Sequence, residues 1–205
     1  MMKFWYMVCA SFERGKIPYS VWIPEPFTYL WLPQGTYRPS FQEFSPLLSK
    51  IETKLNGISK MLSYQGRLVL VNSVFTAMPT FFMCSLILPP QVIKQIDRYR
   101  KHCLWSEGDI NKKGSCLAGW EPACRPKTER GLGIVNIQTQ EKTLLLKFMD
   151  KFYNHADVPS ISLTWSKLYS TNVSPHARCP VGSFWWKDVL KLYPDFTSWQ
   201  HANPT

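Results

Sequence analysis

The side chains that could do chemistry are sparse in these 205 residues and seldom close together. Phosphoryl transfer with two divalent ions takes carboxylates brought into pairs. Asp97, Asp109, Asp150, Asp157, Asp188 and Asp195 each stand isolated in the chain. A zinc site takes closely spaced pairs of Cys or His. His176 and Cys179 make one such pair without a second, and His102, His155 and His201 are scattered. Gly131-Leu132-Gly133 lacks the third glycine and the strand–helix flanks of a dinucleotide loop, and the chain has neither a phosphate loop nor a nucleophile elbow. These residues predict no catalytic, metal-ligating or cofactor-binding site and no small-molecule substrate.

What the chain does have is positive charge, 24 Lys/Arg against 14 Asp/Glu for a formal net of +10. That balance favours a polyanionic partner, nucleic acid or an acidic membrane surface. From Lys94 to Arg130 there are nine Lys/Arg and five Asp/Glu, a local net of +4. Lys94, Arg98 and Lys101 are spaced i, i+4, i+7, so a helix presents them on one side. Val92, Ile96, Tyr99 and Cys103 then take the other side. Such a stripe is either an ordinary solvated face or one that meets phosphates.

The elements that must carry these residues follow from periodicity and punctuation. Ser40 followed by Glu43 is a capping box, and Phe41, Phe44, Leu47, Leu48, Ile51, Leu55 and Ile58 form the apolar stripe of a helix. Ser63 can cap a second helix over Tyr64–Met78, apolar nearly all round, with Val71, Val74, Phe75 and Met78 in the core and Pro79 as its end. The 26 residues between Arg67 and Lys94 carry no charge, but a helix of about 15 residues is too short to span a bilayer. "TFFMCSLIL" then reads as a strand or extended connector. Pro90 opens a third helix, "PQVIKQIDRYRKHCLW". "CLAGWEPACRPKTERGLGIVNI" suggests short strands and a turn. "TQEKTLLLKFMDKFYN" is a fourth helix, carrying Leu144, Leu145, Phe148, Met149 and Phe152. Two shorter helices, around "SLTWSKLY" and "SFWWKDVLKLY", place their tryptophans in a core. The N-terminal "IPYSVWIPEPFTYLWLPQGTYRP" reads as extended pieces and turns. "MMKFWYMVCASFERGK" imitates a signal peptide only faintly, and the six cysteines read as reduced core thiols of an intracellular protein.

Taken in order, "PFTYLWLPQGT", "KLNGISKMLSYQGRLVLVNSVFTAMPTFFM", "LPPQVIKQIDRYRKHCLW", "GWEPACRPKTERGLGI" and "LLLKFMDKFYN" resemble plant non-LTR (LINE-type) retrotransposon reverse transcriptases, over about residues 26 to 190. The resembling part lies just after the catalytic palm and comprises the last palm motif, the thumb and the connector beyond it. The family's aromatic-Ala-Asp-Asp motif belongs upstream of this part and its zinc-binding segment downstream, and neither is present in this sequence. Trp31, Gln34 and Arg130 stand where the family pattern has glycine, leucine and glycine.

The resemblance implies a mainly α fold. It comprises a thumb-like helical bundle over 40–155 with a small β element at about 116–135, a proline-rich extended segment over 1–39, and a helical connector over 156–205. It implies a non-catalytic fragment of an RNA-directed DNA polymerase that grips RNA or RNA–DNA hybrid through the backbone, without sequence preference. Lys94, Arg98, Lys101, Arg125 and Lys127 are the candidate phosphate contacts. Two readings of another class stay open: a basic membrane-associated protein using residues 68–88, and a helical interaction module.

Overall fold

The computed structural model describes residues 27–29, 32–34, 37–58, 62–105, 119–169 and 184–202. Residues 1–26, Trp31, Cys116, Leu117, His176 and Cys179 lie outside the described residues, and with them most of the expected N-terminal segment. The chain divides into two compact units, Ser40–Glu141 and the remainder. The fold is mainly α.

The Ser40–Glu141 unit opens as the capping box predicts. The Ser40 N–H donates to the Glu43 carboxylate at 2.6 Å, and a 3-10 turn, Phe41–Phe44, leads into α1, Ser45–Ile58. Phe44, Leu47, Leu48, Ile51 and Leu55 are buried. α2 spans Tyr64–Met83, with Ser63 Oγ accepting from Gly66 N–H at 3.3 Å to close its first turn. α3 spans Pro90–Trp105 and packs on α1 and on the middle of α2.

α2 departs from expectation at Pro79. The helix does not stop there, because residues Val71–Phe75 form a π-turn and regular helix resumes over Ala77–Met83. Proline has no N–H for the carbonyl four residues back, and its ring crowds that carbonyl. A widened turn just upstream relieves the clash and shifts the register. Thr76 marks the shift: its N–H donates to the Val71 carbonyl at 3.2 Å, five residues back, and its hydroxyl donates to the same oxygen at 2.9 Å. The shift also rotates the apolar face. Val71 and Phe75 are fully buried, whereas Val74 and Met78 are only half-buried, and Pro79, Phe82 and Met83 join the core instead. "TFFM" is therefore helix and not strand.

At 20 residues α2 is long and apolar enough to cross a bilayer by length and composition, which revises the sequence estimate. Its polar groups are nonetheless committed within the unit. Asn72 Nδ2 donates to the Gly133 carbonyl, Thr76 Oγ1 accepts from Arg100, and Thr80 Oγ1 accepts from Gln140 Nε2. These bonds and the burial of Val71, Phe75, Pro79, Phe82 and Met83 hold one side of α2 to the unit, while Gln65, Val69, Ser73, Ala77 and Phe81 leave the other side exposed.

The β element expected near 116–135 is absent from the described part, 119–135. That stretch holds a short helix, α4 (Trp120–Cys124), and a 3-10 turn, Lys127–Glu129. Some backbone pairing exists within the stretch, since Leu132 N–H donates to the Ala123 carbonyl and Gly133 N–H to that of Arg125. Pro122 and Pro126 cannot donate, so no ladder propagates. The two strands that occur among the described residues lie in the other unit, where β1 (Phe27–Tyr29) pairs antiparallel with β2 (Leu32–Gln34).

α5 spans Ile137–Tyr153, and α6 (Pro159–Leu168), α7 (Phe184–Leu190) and α8 (Tyr193–Ala202) follow. α8 was not foreseen as a separate helix. Here aromatic rings make the core: Phe152 stacks on Trp165 at 4.6 Å, and Trp186 Nε1 donates to Tyr169 Oη at 3.1 Å. Trp185 and Trp186 are buried, as their spacing predicted. Arg38 pairs with the buried Asp188 of α7, which also accepts from Lys191 at 2.8 Å. Of the described cysteines, all free, Cys103 is buried but Cys84 is exposed, against the expectation of core thiols.

Candidate nucleic-acid interface

The basic stripe belongs to α3, whose start is fixed by its prolines. Pro89 and Pro90 cannot donate, and the Pro89 carbonyl accepts from Val92 and Ile93 at 2.9 and 3.3 Å. Val92, Ile93, Ile96, Tyr99, Cys103 and Leu104 hold one side of α3 to the core. Lys94 and Arg98 are exposed on the other. Lys101 differs from them, being half-buried with its ammonium over the Trp120 indole, 5.6 Å from the ring centroid.

Arg125 and Lys127 are exposed on the loop that follows α4. The loop is closed by its own backbone: Gly131 N–H donates to the Pro126 carbonyl at 3.0 Å and Gly133 N–H to Arg125 at 2.9 Å. Gly131 is required by close approach, because a Cβ there would sit 2.0 Å from the Arg125 carbonyl oxygen. Arg130 adopts φ 61°, ψ 22°, the left-handed region that glycine enters freely and an L side chain enters at a cost.

A buried arginine ties loop and helices together. Arg100 is fully buried, and its guanidinium donates to Asp97 at 2.9 Å, to Thr76 Oγ1 at 3.1 Å and to the Val135 carbonyl at 2.7 Å. Val135 N–H in turn donates to Asn72 Oδ1 at 3.4 Å. Burial pulls the Arg100 pKa down and Asp97 opposes the shift, but an arginine stays charged throughout. Its carbon Cζ lies over Trp120, 5.3 Å from the centroid. Arg100 was not among the predicted residues, yet its spacing signalled it: it lies four residues from both Ile96 and Leu104, on the buried arc.

Glu141 was missed for the same reason, standing four residues from both Ile137 and Leu145 on the apolar stripe of α5. It is 7% exposed and accepts from Leu88 N–H at 2.7 Å, just before α3 begins. Burial pushes its carboxyl up to about 7, against a smaller downward pull from that hydrogen bond.

The structure thus joins α3 to the loop through Arg100 and Trp120 and leaves Lys94, Arg98, Arg125 and Lys127 in solvent. Among the described residues, none of these four or Lys101 is paired with a carboxylate. Unpaired exposed cations can meet phosphate oxygens without first breaking an ion pair. Within the same residues, no group of three or more His, Cys, Asp or Glu side chains converges to hold a metal ion.

No family model matches the chain, and no solved structure matches it. Over 105 residues, 51% of this chain, it is 30% identical to an Arabidopsis thaliana protein bearing the name "Putative ribonuclease H protein". The matched stretch is 17% of that protein's length, so this chain is similar to a minor part of a much longer, nucleic-acid-enzyme-named relative.

Proposed function

We propose that this chain is a non-catalytic fragment of a non-LTR retrotransposon reverse transcriptase, corresponding to its thumb and connector, whose remaining capacity is to bind RNA or RNA–DNA hybrid without regard to sequence. The observation that carries the binding part of this reading is the set of four exposed, unpaired cations, Lys94, Arg98, Arg125 and Lys127, on one helical unit, while the family origin rests on the order of the sequence blocks from Pro26 to Asn154. The partial likeness to a ribonuclease H-named protein supports it. Backbone contacts of this kind position a duplex or strand but carry no base information. No pair of adjacent aspartates exists in the 205 residues to hold catalytic metal ions, so polymerisation is not part of the proposal. Anisotropy titrations with labelled single-stranded RNA and RNA–DNA hybrid of several unrelated sequences test it. Affinities that agree across sequences fit the reading, and absent binding or a strong preference for one sequence rejects it.

One observation favours a second reading as an interaction module. Gln65, Val69, Ser73, Ala77 and Phe81 recur every four residues along α2 and are all exposed and uncharged, with Val69 63% exposed. A partner captured through this face and lost on Val69→Lys would favour that reading.

A further inference from the structure

We infer that Trp120 is a stacking platform for an unpaired base of single-stranded nucleic acid, with Lys101 placed for that nucleotide's phosphate; the inference rests on the nucleic-acid reading above. Trp120 is neither core nor free. It is partly exposed in the first turn of a five-residue helix whose next two residues, Glu121 and Pro122, are exposed. Such a short helix gives little rigidity of its own. The indole is instead steadied by Arg100, which lies over it and is itself fixed by Asp97, Thr76 and Val135. A ring held against a buried, immobile guanidinium is pre-organised, so a base that stacks on it need not order it first.

The surroundings select the partner. Lys101 Nζ stands over the ring, 5.6 Å from its centroid, on a long side chain that swings off the indole onto the phosphate as the base stacks, and Arg125 follows α4 directly in the chain, exposed and unpaired. An aromatic face beside unpaired cations fits the two parts of a nucleotide, a flat base and an anionic phosphate, and recurs where proteins hold single strands. Duplex bases are already stacked on one another and cannot use the platform.

The experiment uses the full chain and three probes: single-stranded RNA, the same RNA in a duplex, and heparin, which carries charge but no bases. Trp120→Leu keeps an apolar cover over Arg100 and removes the aromatic face. It should weaken single-strand binding roughly fivefold or more, leave duplex and heparin binding unchanged, and leave the salt slope unchanged. Trp120→Phe should restore most of the loss. Equal single-strand affinity in Trp120→Leu, or an equal loss on heparin, overturns the platform while leaving the basic surface standing. A parent chain that binds no RNA at salt concentrations where it binds heparin overturns both. If Trp120→Leu fails to fold, photocrosslinking of the unaltered chain to a 4-thiouridine oligomer decides. Adducts on the tryptic peptide containing Trp120 support the platform, and adducts confined to other peptides overturn it.

Discussion

Replacing Arg130 by glycine should stabilise this protein although it removes a side chain and adds no contact. Arg130 holds φ 61°, where an L-residue loses roughly 1–2 kcal/mol to the crowding of its Cβ. Glycine avoids that penalty but gives back roughly 0.5–1 kcal/mol of unfolded-state entropy. The net gain is therefore about 0.5–1 kcal/mol, a rise of roughly 1–4 °C in Tm for a chain of this length. The side chain is exposed, so no packing is lost. Two controls separate conformation from side-chain chemistry. Arg130→Ala keeps the Cβ and should match the parent. Gly133→Ala, at φ 68°, should destabilise by about 1 kcal/mol. Urea midpoints with a common m-value report all three. A neutral or destabilised Arg130→Gly, or an Arg130→Ala as stable as Arg130→Gly, would refute the turn geometry as the cause.

Gly131→Ala should cost far more than Gly133→Ala, because its Cβ meets a backbone carbonyl at 2.0 Å; equal urea midpoints for the two would contradict the close approach. Glu141 has a folded pKa raised to about 7 from 4.5, so its favourable share is complete below the unfolded value and is lost as pH rises through about 7. That amounts to about 3 kcal/mol across the window, and Glu141→Gln, which keeps an acceptor for Leu88 N–H, should flatten the stability profile between pH 4.5 and 7. Phe75→Asp should destabilise much more than Val74→Asp, since Phe75 is fully buried and Val74 is not; the reverse order in thermal melts would put the π-turn register in error. Arg100→Leu should cost about 3 kcal/mol by leaving the Val135 carbonyl and Asp97 without their buried donor, which chemical denaturation measures.

Much of the helical skeleton was legible because its signals are local. Ser40 and Glu43 announced a start, Pro89-Pro90 announced another, and the i, i+3, i+4 spacing of Val92, Ile96, Tyr99 and Cys103 told which side of α3 faces inward. The exposure of Lys94 and Arg98 followed from the same spacing. What escaped depends on tertiary context. Pro79 reads as a stop until a π-turn upstream absorbs it, and that turn is stabilised by Thr76 and by packing, not by any local code. Arg100 and Glu141 sit at core positions by periodicity, but their polarity disguised them, because a charged side chain is buried only when partners distant in sequence satisfy it. Lys101 was grouped with Lys94 and Arg98 by spacing, and only the folding of α4 against α3 turns it toward Trp120. The stretch from Cys116 to Cys124 suggested short strands through Leu117, Trp120 and its cysteines, while Pro122 and Pro126 already argued against a ladder.

The central claim is that exposed cations on one unit hold nucleic-acid backbone non-specifically, and the salt dependence of binding tests it most directly. Each phosphate contact adds roughly 0.7–0.9 to the slope of log affinity against log salt. The parent chain should bind single-stranded RNA with a steep slope. The variant with Lys94, Arg98, Arg125 and Lys127 all replaced by alanine should retain its fold by circular dichroism, with the slope flattened by about 3. A folded quadruple variant with the parent's slope would contradict the account and return these four residues to an ordinary solvated surface.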